Sequence, residues 1–131
     1  MADLPAALNS KINRLPLAYL REKSAHSDLA SQLLDAVKPL GDVQTYCPDW
    51  QAYRYVAVST NNIIFGFAIG MDTIAFRLDT RMAERAIATG GSPVPECGGE
   101  WVAVMRHRSD SDWPAVDLTF WARKAYVYAR E

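Results

Sequence analysis

Residues 53–79 read YRYVAVSTNNIIFGFAIGMDTIAFRLD. Three short apolar runs are separated by Asn61-Asn62 and by Gly70-Met71-Asp72, residue types that accept the backbone of tight turns. Loops this short force neighbouring strands to run antiparallel, so the stretch predicts a three-strand meander. Tyr53, Tyr55 and Ala57 alternate with Arg54, Val56 and Val58, and both sets are semi-apolar; this predicts a strand covered on one face and shielded on the other. Ile63, Phe65, Phe67 and Ile69 are expected on one face and Ile64, Gly66 and Ala68 on the other, the pattern of a central strand with a neighbour packed close over its small side. Ile74, Phe76 and Leu78 continue the alternation against Ala75 and Arg77.

Upstream, Val43, Thr45 and Cys47 share one side of a further short strand that halts at Pro48-Asp49. Before it the periodicity is helical. Leu4, Leu8, Ile12 and Leu15 recur at helical spacing ahead of Pro16, and Leu29, Leu33 and Val37 form a second apolar stripe ending before Pro39-Leu40-Gly41. Ser27 fits the N-cap of that second helix, while residues 16–25 are compatible with either helix or linker. Downstream, Asp79 or Thr80 caps a short helix to Ala88 with Met82, Ala83, Ala86 and Ile87 inward, and Thr89-Gly90-Gly91 stops it. The irregular Gly90–Gly99 segment leads into a strand over 100–107, with Trp101, Ala103 and Met105 alternating against Val102, Val104 and Arg106. Asp112 or Trp113 is then expected to cap a last helix, with Pro114 in its first turn and Leu118, Trp121, Ala125 and Tyr128 along one face.

The chain of 131 residues, half of them hydrophobic, is long enough for one buried core and too short to divide without a visible linker. A single domain over 1–131 follows, with 1–41 as a helical N-terminal extension and 42–131 as sheet plus helices. The formal net charge of -1, with no block of like charge, speaks against nonspecific nucleic-acid binding, which needs clustered Lys and Arg to neutralise phosphates. The longest apolar run, Ile63 to Ile69, is far shorter than the roughly 18 to 20 residues of a membrane span. The opening Met-Ala-Asp-Leu-Pro lacks the basic-then-apolar pattern of a secretory signal, and Cys47 and Cys97 read as free thiols of a reducing cytoplasm.

Residues with chemistry are sparse. No Gly-x-Ser-x-Gly elbow activates a serine, and Cys97, although placed in a glycine-rich loop, has Glu96 beside it, whose charge opposes thiolate formation. His26 and His107 have no ligand-type spacing, so no metal site is expected, and Asp110 and Asp112 with Ser109 and Ser111 lack the glycine and distal Glu of a calcium loop. Gly90-Gly91 and Gly98-Gly99 occur without Gly-Lys-Ser/Thr or G-x-G-x-x-G, so they read as a helix stop and a strand entry. No catalytic residue and no cofactor are assigned. The aromatic set, Trp50, Tyr53, Tyr55, Trp101, Trp113 and Trp121, serves first as core between sheet and last helix. If it binds, the face is built from Trp50, Tyr53, Arg77, Trp101 and Arg106.

The order of elements, with Ile74-Ala75-Phe76-Arg77-Leu78, the Ala86 to Gly91 helix stop, Glu100-Trp101-Val102-Ala103-Val104 and Trp121 to Ala129, resembles the small bacterial YjbR/MmcQ-type proteins over about residues 42–129. The resemblance implies an α+β "double-wing" fold and a binding role, sometimes proposed to be DNA binding, with no catalytic residues to transfer. The chain departs from that pattern in lacking the family's basic residues around the fourth strand and in its longer helical N-terminus.

These readings converge on an α+β domain, a mostly antiparallel sheet of about five strands packed against a C-terminal helix and N-terminal helices. The expected function is that of a noncatalytic bacterial cytoplasmic protein acting through protein contacts, accessory or immunity-like. Its expected partner is another protein or itself, a homodimer formed through the N-terminal helix or a sheet edge. The alternative is a small-ligand or nucleic-acid binding module using the aromatic and arginine face.

Overall fold

A computed structural model gives the fold over residues 8–21, 23–25, 27–47, 55–70, 73–105 and 117–131. In chain order the elements are α1 (Arg14–Leu20), α2 (Ser27–Val37), β1 (Gln44–Tyr46), β2 (Val56–Thr60), β3 (Ile63–Ile69), β4 (Thr73–Arg77), α3 (Thr80–Ala88), β5 (Ser92–Pro93), β6 (Trp101–Met105) and α4 (Leu118–Ala129), with single 3₁₀ turns at Lys11–Asn13 and Pro95–Cys97. The strands form one sheet in the order β1-β2-β3-β4-β6-β5, every neighbouring pair antiparallel. The class is α+β, with α4 packed on the sheet.

The meander forms where its turn chemistry places it. Asn61 and Asn62 both hold positive φ, 54° and 61°, the backbone that a two-residue turn needs to match the twist of β2 and β3. Among the described residues the sheet has six strands rather than about five. The extra one, β5, is only Ser92 and Pro93 paired with Ala103 and Val102; at the outer edge the amide that proline lacks is not needed by the ladder.

Both faces of the sheet are covered. One carries Val56, Val58, Phe65, Ala68, Phe76 and Val102 against Leu29 and Leu33 of α2 and against Trp121, Ala122, Ala125 and Ala129 of α4. The small side chains on α4 let that helix lie close to β3 and β4. Tyr128, expected on the inner face of α4, is half-buried instead, and Ala122 and Ala129 take inner positions. The opposite face carries Ala57, Ile64, Phe67, Ala75 and Trp101 beneath Leu8, Leu20 of α1, and Val94 and Cys97 of the glycine-rich segment.

Strict alternation along β3 fails at one point. Val58 pairs with Gly66 but Ser59 pairs with Ile64, so the register slips by one residue and Phe65 is left over in a bulge. Phe65 therefore faces α2 and α4, whereas Phe67 and Ile69 join the opposite core. A one-residue slip changes the parity of everything beyond it, which is why Phe65 and Phe67 do not share the face that simple alternation assigns them. Gly66 lies on the α2/α4 side: a Cβ there would stand 2.8 Å from Cδ1 of Phe76 and 3.2 Å from Cγ2 of Val58.

The N-terminal segment also differs from its periodicity. Residues 11–13 are 3₁₀, and α1 begins at Arg14 and runs through Pro16, whose missing N–H falls in the first turn where amides have no intrahelical partner. Ile12 and Leu15, expected inward, are 43% and 53% exposed. The buried anchor of this segment is Asn13: its Nδ2 donates to the carbonyls of Leu8 and Asn62, both at 3.0 Å, and its Oδ1 accepts from the Ile64 amide at 2.9 Å. Residues 23–25 lie alongside the sheet, with the Gly70 amide donating to the Ser24 carbonyl and the Tyr55 amide to that of Lys23.

Two helix ends behave as their residues require. Asp79 caps α3, its Oδ1 accepting from the Met82 amide at 2.8 Å, and the Gly91 amide donates back to the Ala86 carbonyl. Ile87, expected inward on α3, is 43% exposed, whereas Ala83 and Ala86 are buried and Met82, half-buried, packs against the core. Asp117 caps α4 by accepting from the Phe120 amide at 3.0 Å, whereas the expected start at Asp112 or Trp113, with Pro114 in the first turn, lies outside the described residues. Leu4 and Pro48-Asp49 also lie outside them.

Gly66→Ala should destabilise the protein by about 1–3 kcal/mol, because the added methyl meets a fully buried Phe76 ring with no room to swing aside. Chemical denaturation followed by circular dichroism measures it; an unchanged midpoint would mean that the contact over Gly66 is not tight.

Candidate functional site

The binding face read from the sequence divides. Trp50, Tyr53 and Arg106 lie outside the described residues, as do His26, His107 and the Ser109–Asp112 run. Trp101 and Arg77 are cross-strand partners, so β4 and β6 bring these two together. Trp101 is only 3% exposed, its ring stacked on Phe67 at 5.0 Å between centroids, and it belongs to the core beneath α1. Arg77 is 9% exposed. Its guanidinium lies 3.3 Å from Glu100 and 4.4 Å from the centre of the Tyr128 ring, and the Tyr128 hydroxyl donates to the same Glu100 carboxylate. This arginine, glutamate and tyrosine group ties α4 to the β4–β6 end of the sheet. The hydrogen bond to Glu100 holds the phenol protonated and raises the Tyr128 pKa, with burial and the Glu100 charge acting the same way.

Cys97 is buried within the 3₁₀ turn Pro95–Cys97. Burial first, and the Glu96 charge second, push its thiol up to about 12, so almost none of it is thiolate near neutral pH. Among the described residues no group of three or more His, Cys, Asp or Glu is placed to hold a metal ion, and no helix is long and apolar enough to cross a membrane.

The feature that the sequence did not disclose is a groove of about 540 Å³ between α3 and α4. Both helices build it. Arg81 and Arg85 are four residues apart on α3 and so share a face, while Arg123 and Lys124 project from α4. Met82 and Val127 supply its apolar lining, Val127 being 52% exposed. The lining acids are Asp79 and Glu131, and the Asp79 carboxylate is already engaged with the first turn of α3. Four cations therefore face two carboxylates, in a molecule whose overall charge is slightly negative.

Among the described residues none of the four cations is paired with a carboxylate. Two of them rest on an aromatic ring instead: Arg85 and Lys124, one from each helix, lie 5.5 Å and 5.4 Å from the centre of Phe120. The arrangement presents fixed positive charge beside an apolar strip, which suits binding of an anionic group and supplies no paired acid and base. No single residue type could have flagged it, because each arginine and lysine reads in isolation as an ordinary solvated position on an amphipathic helix.

Cys97 should react with a thiol reagent at pH 7.5 at least about a hundredfold more slowly in the folded protein than in denaturant, since a pKa near 12 leaves roughly one thiolate in ten thousand or fewer. The linkage runs the same way: a raised pKa contributes stability below the free-thiol value that is lost as pH climbs toward 12. Labelling of Cys97 at the denatured rate, read site by site by mass spectrometry, would show the turn to be open. Comparison of the chain with protein-family models, with curated proteins and with solved structures returns no match in any of the three.

Proposed function

We propose that this is a noncatalytic interaction protein of the bacterial cytoplasm, accessory or immunity-like, that acts by holding a partner protein against the α3/α4 groove. The observation that supports the reading is the groove's net positive charge: Arg81, Arg85, Arg123 and Lys124 line it with Met82 and Val127, against the carboxylates of Asp79 and Glu131, and no described carboxylate forms an ion pair with any of the four. Charges displayed in this way raise encounter rates and select partners of opposite sign, while an apolar strip among them supplies the area that slows dissociation. Among the described residues, Cys97 is buried in the core, and Arg77, Glu100 and Tyr128 are engaged with one another. Kinship with the YjbR/MmcQ-type proteins belongs to the same proposal, resting on the pattern of residues 42–129.

The test is a comparison of variants. Arg81→Glu with Arg123→Glu should keep the wild-type circular dichroism spectrum and retain at least about tenfold less partner from host extract, whereas Arg14→Glu on α1 should retain as much as wild type. Equal retention by all three would remove the groove from the function.

Self-association is a second reading, supported by the exposure of Ile12, in the 3₁₀ turn before α1, and of Leu15 in its first turn. The sheet edges suit it less, β1 being three residues long and β5 two with a proline. Light scattering on the full chain should then give a dimer mass that Leu15→Glu converts to monomer; a monomer mass for wild type at high micromolar concentration excludes it.

A further inference from the structure

Resting on that reading of the groove, we infer that its occupant is an acidic peptide segment that carries an apolar side chain, inserted between Met82 and Val127 with its carboxylates against the four flanking cations. Three features narrow the chemistry. The net positive charge of the lining calls for an anionic ligand, and its distribution over two helices calls for anionic groups spread along a chain rather than gathered in one phosphate. Val127, 52% exposed, lies among the cations beside the half-buried Met82, and a wholly ionic ligand would leave it wet; a Leu, Ile or Phe side chain covers it and gains from doing so.

Nucleic acid fits less well. Base recognition on a single strand needs a free aromatic face for stacking, and the ring beside the groove, Phe120, already has Arg85 and Lys124 over it while its neighbour Trp121 packs edge-on at 4.9 Å. Peptide carboxylates meet the lining's needs without a stacking platform. Arginine on both helices suits this occupant, because a guanidinium can take a carboxylate through two parallel hydrogen bonds.

The experiment is fluorescence anisotropy with the full chain and a labelled peptide of glutamates around a central leucine. Beside it run the same peptide with serine for leucine, a single-stranded oligonucleotide of equal charge, and inorganic phosphate as competitor. The leucine peptide should bind most tightly, the serine peptide about tenfold more weakly. Binding of both should fall with added salt as the Debye length shrinks from about 10 Å at 0.1 M to about 3 Å at 1 M. Arg81→Glu with Arg123→Glu should abolish binding, and Val127→Ser, at an exposed position that the fold does not need, should erase the difference between leucine and serine peptides without abolishing either.

Equal affinity for the two peptides in wild type would overturn the apolar anchor, and tighter binding of the oligonucleotide or full competition by millimolar phosphate would overturn the peptide class. No binding of the leucine peptide, together with partner retention that still depends on Arg81 and Arg123, would refute this occupant and leave the groove as the contact surface. Retention independent of those residues would refute both.

Discussion

The structure depends on one close approach, the Phe76 ring packed over the bare backbone of Gly66. The bulge at Phe65 turns two successive residues of β3 toward α2 and α4; only a residue without a side chain can be the second of them, since the space above it belongs to Phe76 and Val58. Because parity is reversed past this point, Phe65 serves one core while Phe67 serves the other. A sheet buried on both faces needs large side chains delivered to each, and this irregularity delivers them from a single seven-residue strand.

From that arrangement the position of the groove follows. With Phe65, Phe76 and Val102 filling the layer, α4 docks through alanines and Trp121, close enough to α2 and to β3 and β4 to be fixed in position. The clasp of Arg77 and Glu100 with Tyr128 holds the last turns of α4 at the end of the sheet where Asp79 starts α3. The outward faces of the two helices then lie side by side, and their cations accumulate. The charge is a surface property, but its geometry is dictated by packing underneath.

Much of the fold was legible because it is encoded locally. Asn61-Asn62 announces its turn by residue type, Asp79 and Gly90-Gly91 bracket α3 by capping chemistry, and the strand runs carry their period in composition. What was not legible depends on distant partners. The bulge in β3 is visible only in its pairing with Val58 and Ser59; β5 is too short to have a period; Ile12 and Leu15 lose their helical stripe because the chain tightens to 3₁₀ so that Asn13 can reach Asn62 and Ile64. The site was harder still. Arg77 and Trp101 are cross-strand partners, yet both are buried, and the groove joins residues some forty positions apart whose helices each look complete alone.

The two margins of the sheet are a strand of three residues and a strand of two that ends on proline, while the long hydrophobic strands lie between them. Among the described residues, a foreign strand arriving at either side finds few free amides and carbonyls with which to align itself, which gives edge-to-edge stacking into fibres little template. The most β-prone part of the chain, Ile63–Ile69, is paired along both sides, by β2 and β4, and so presents no open edge of its own.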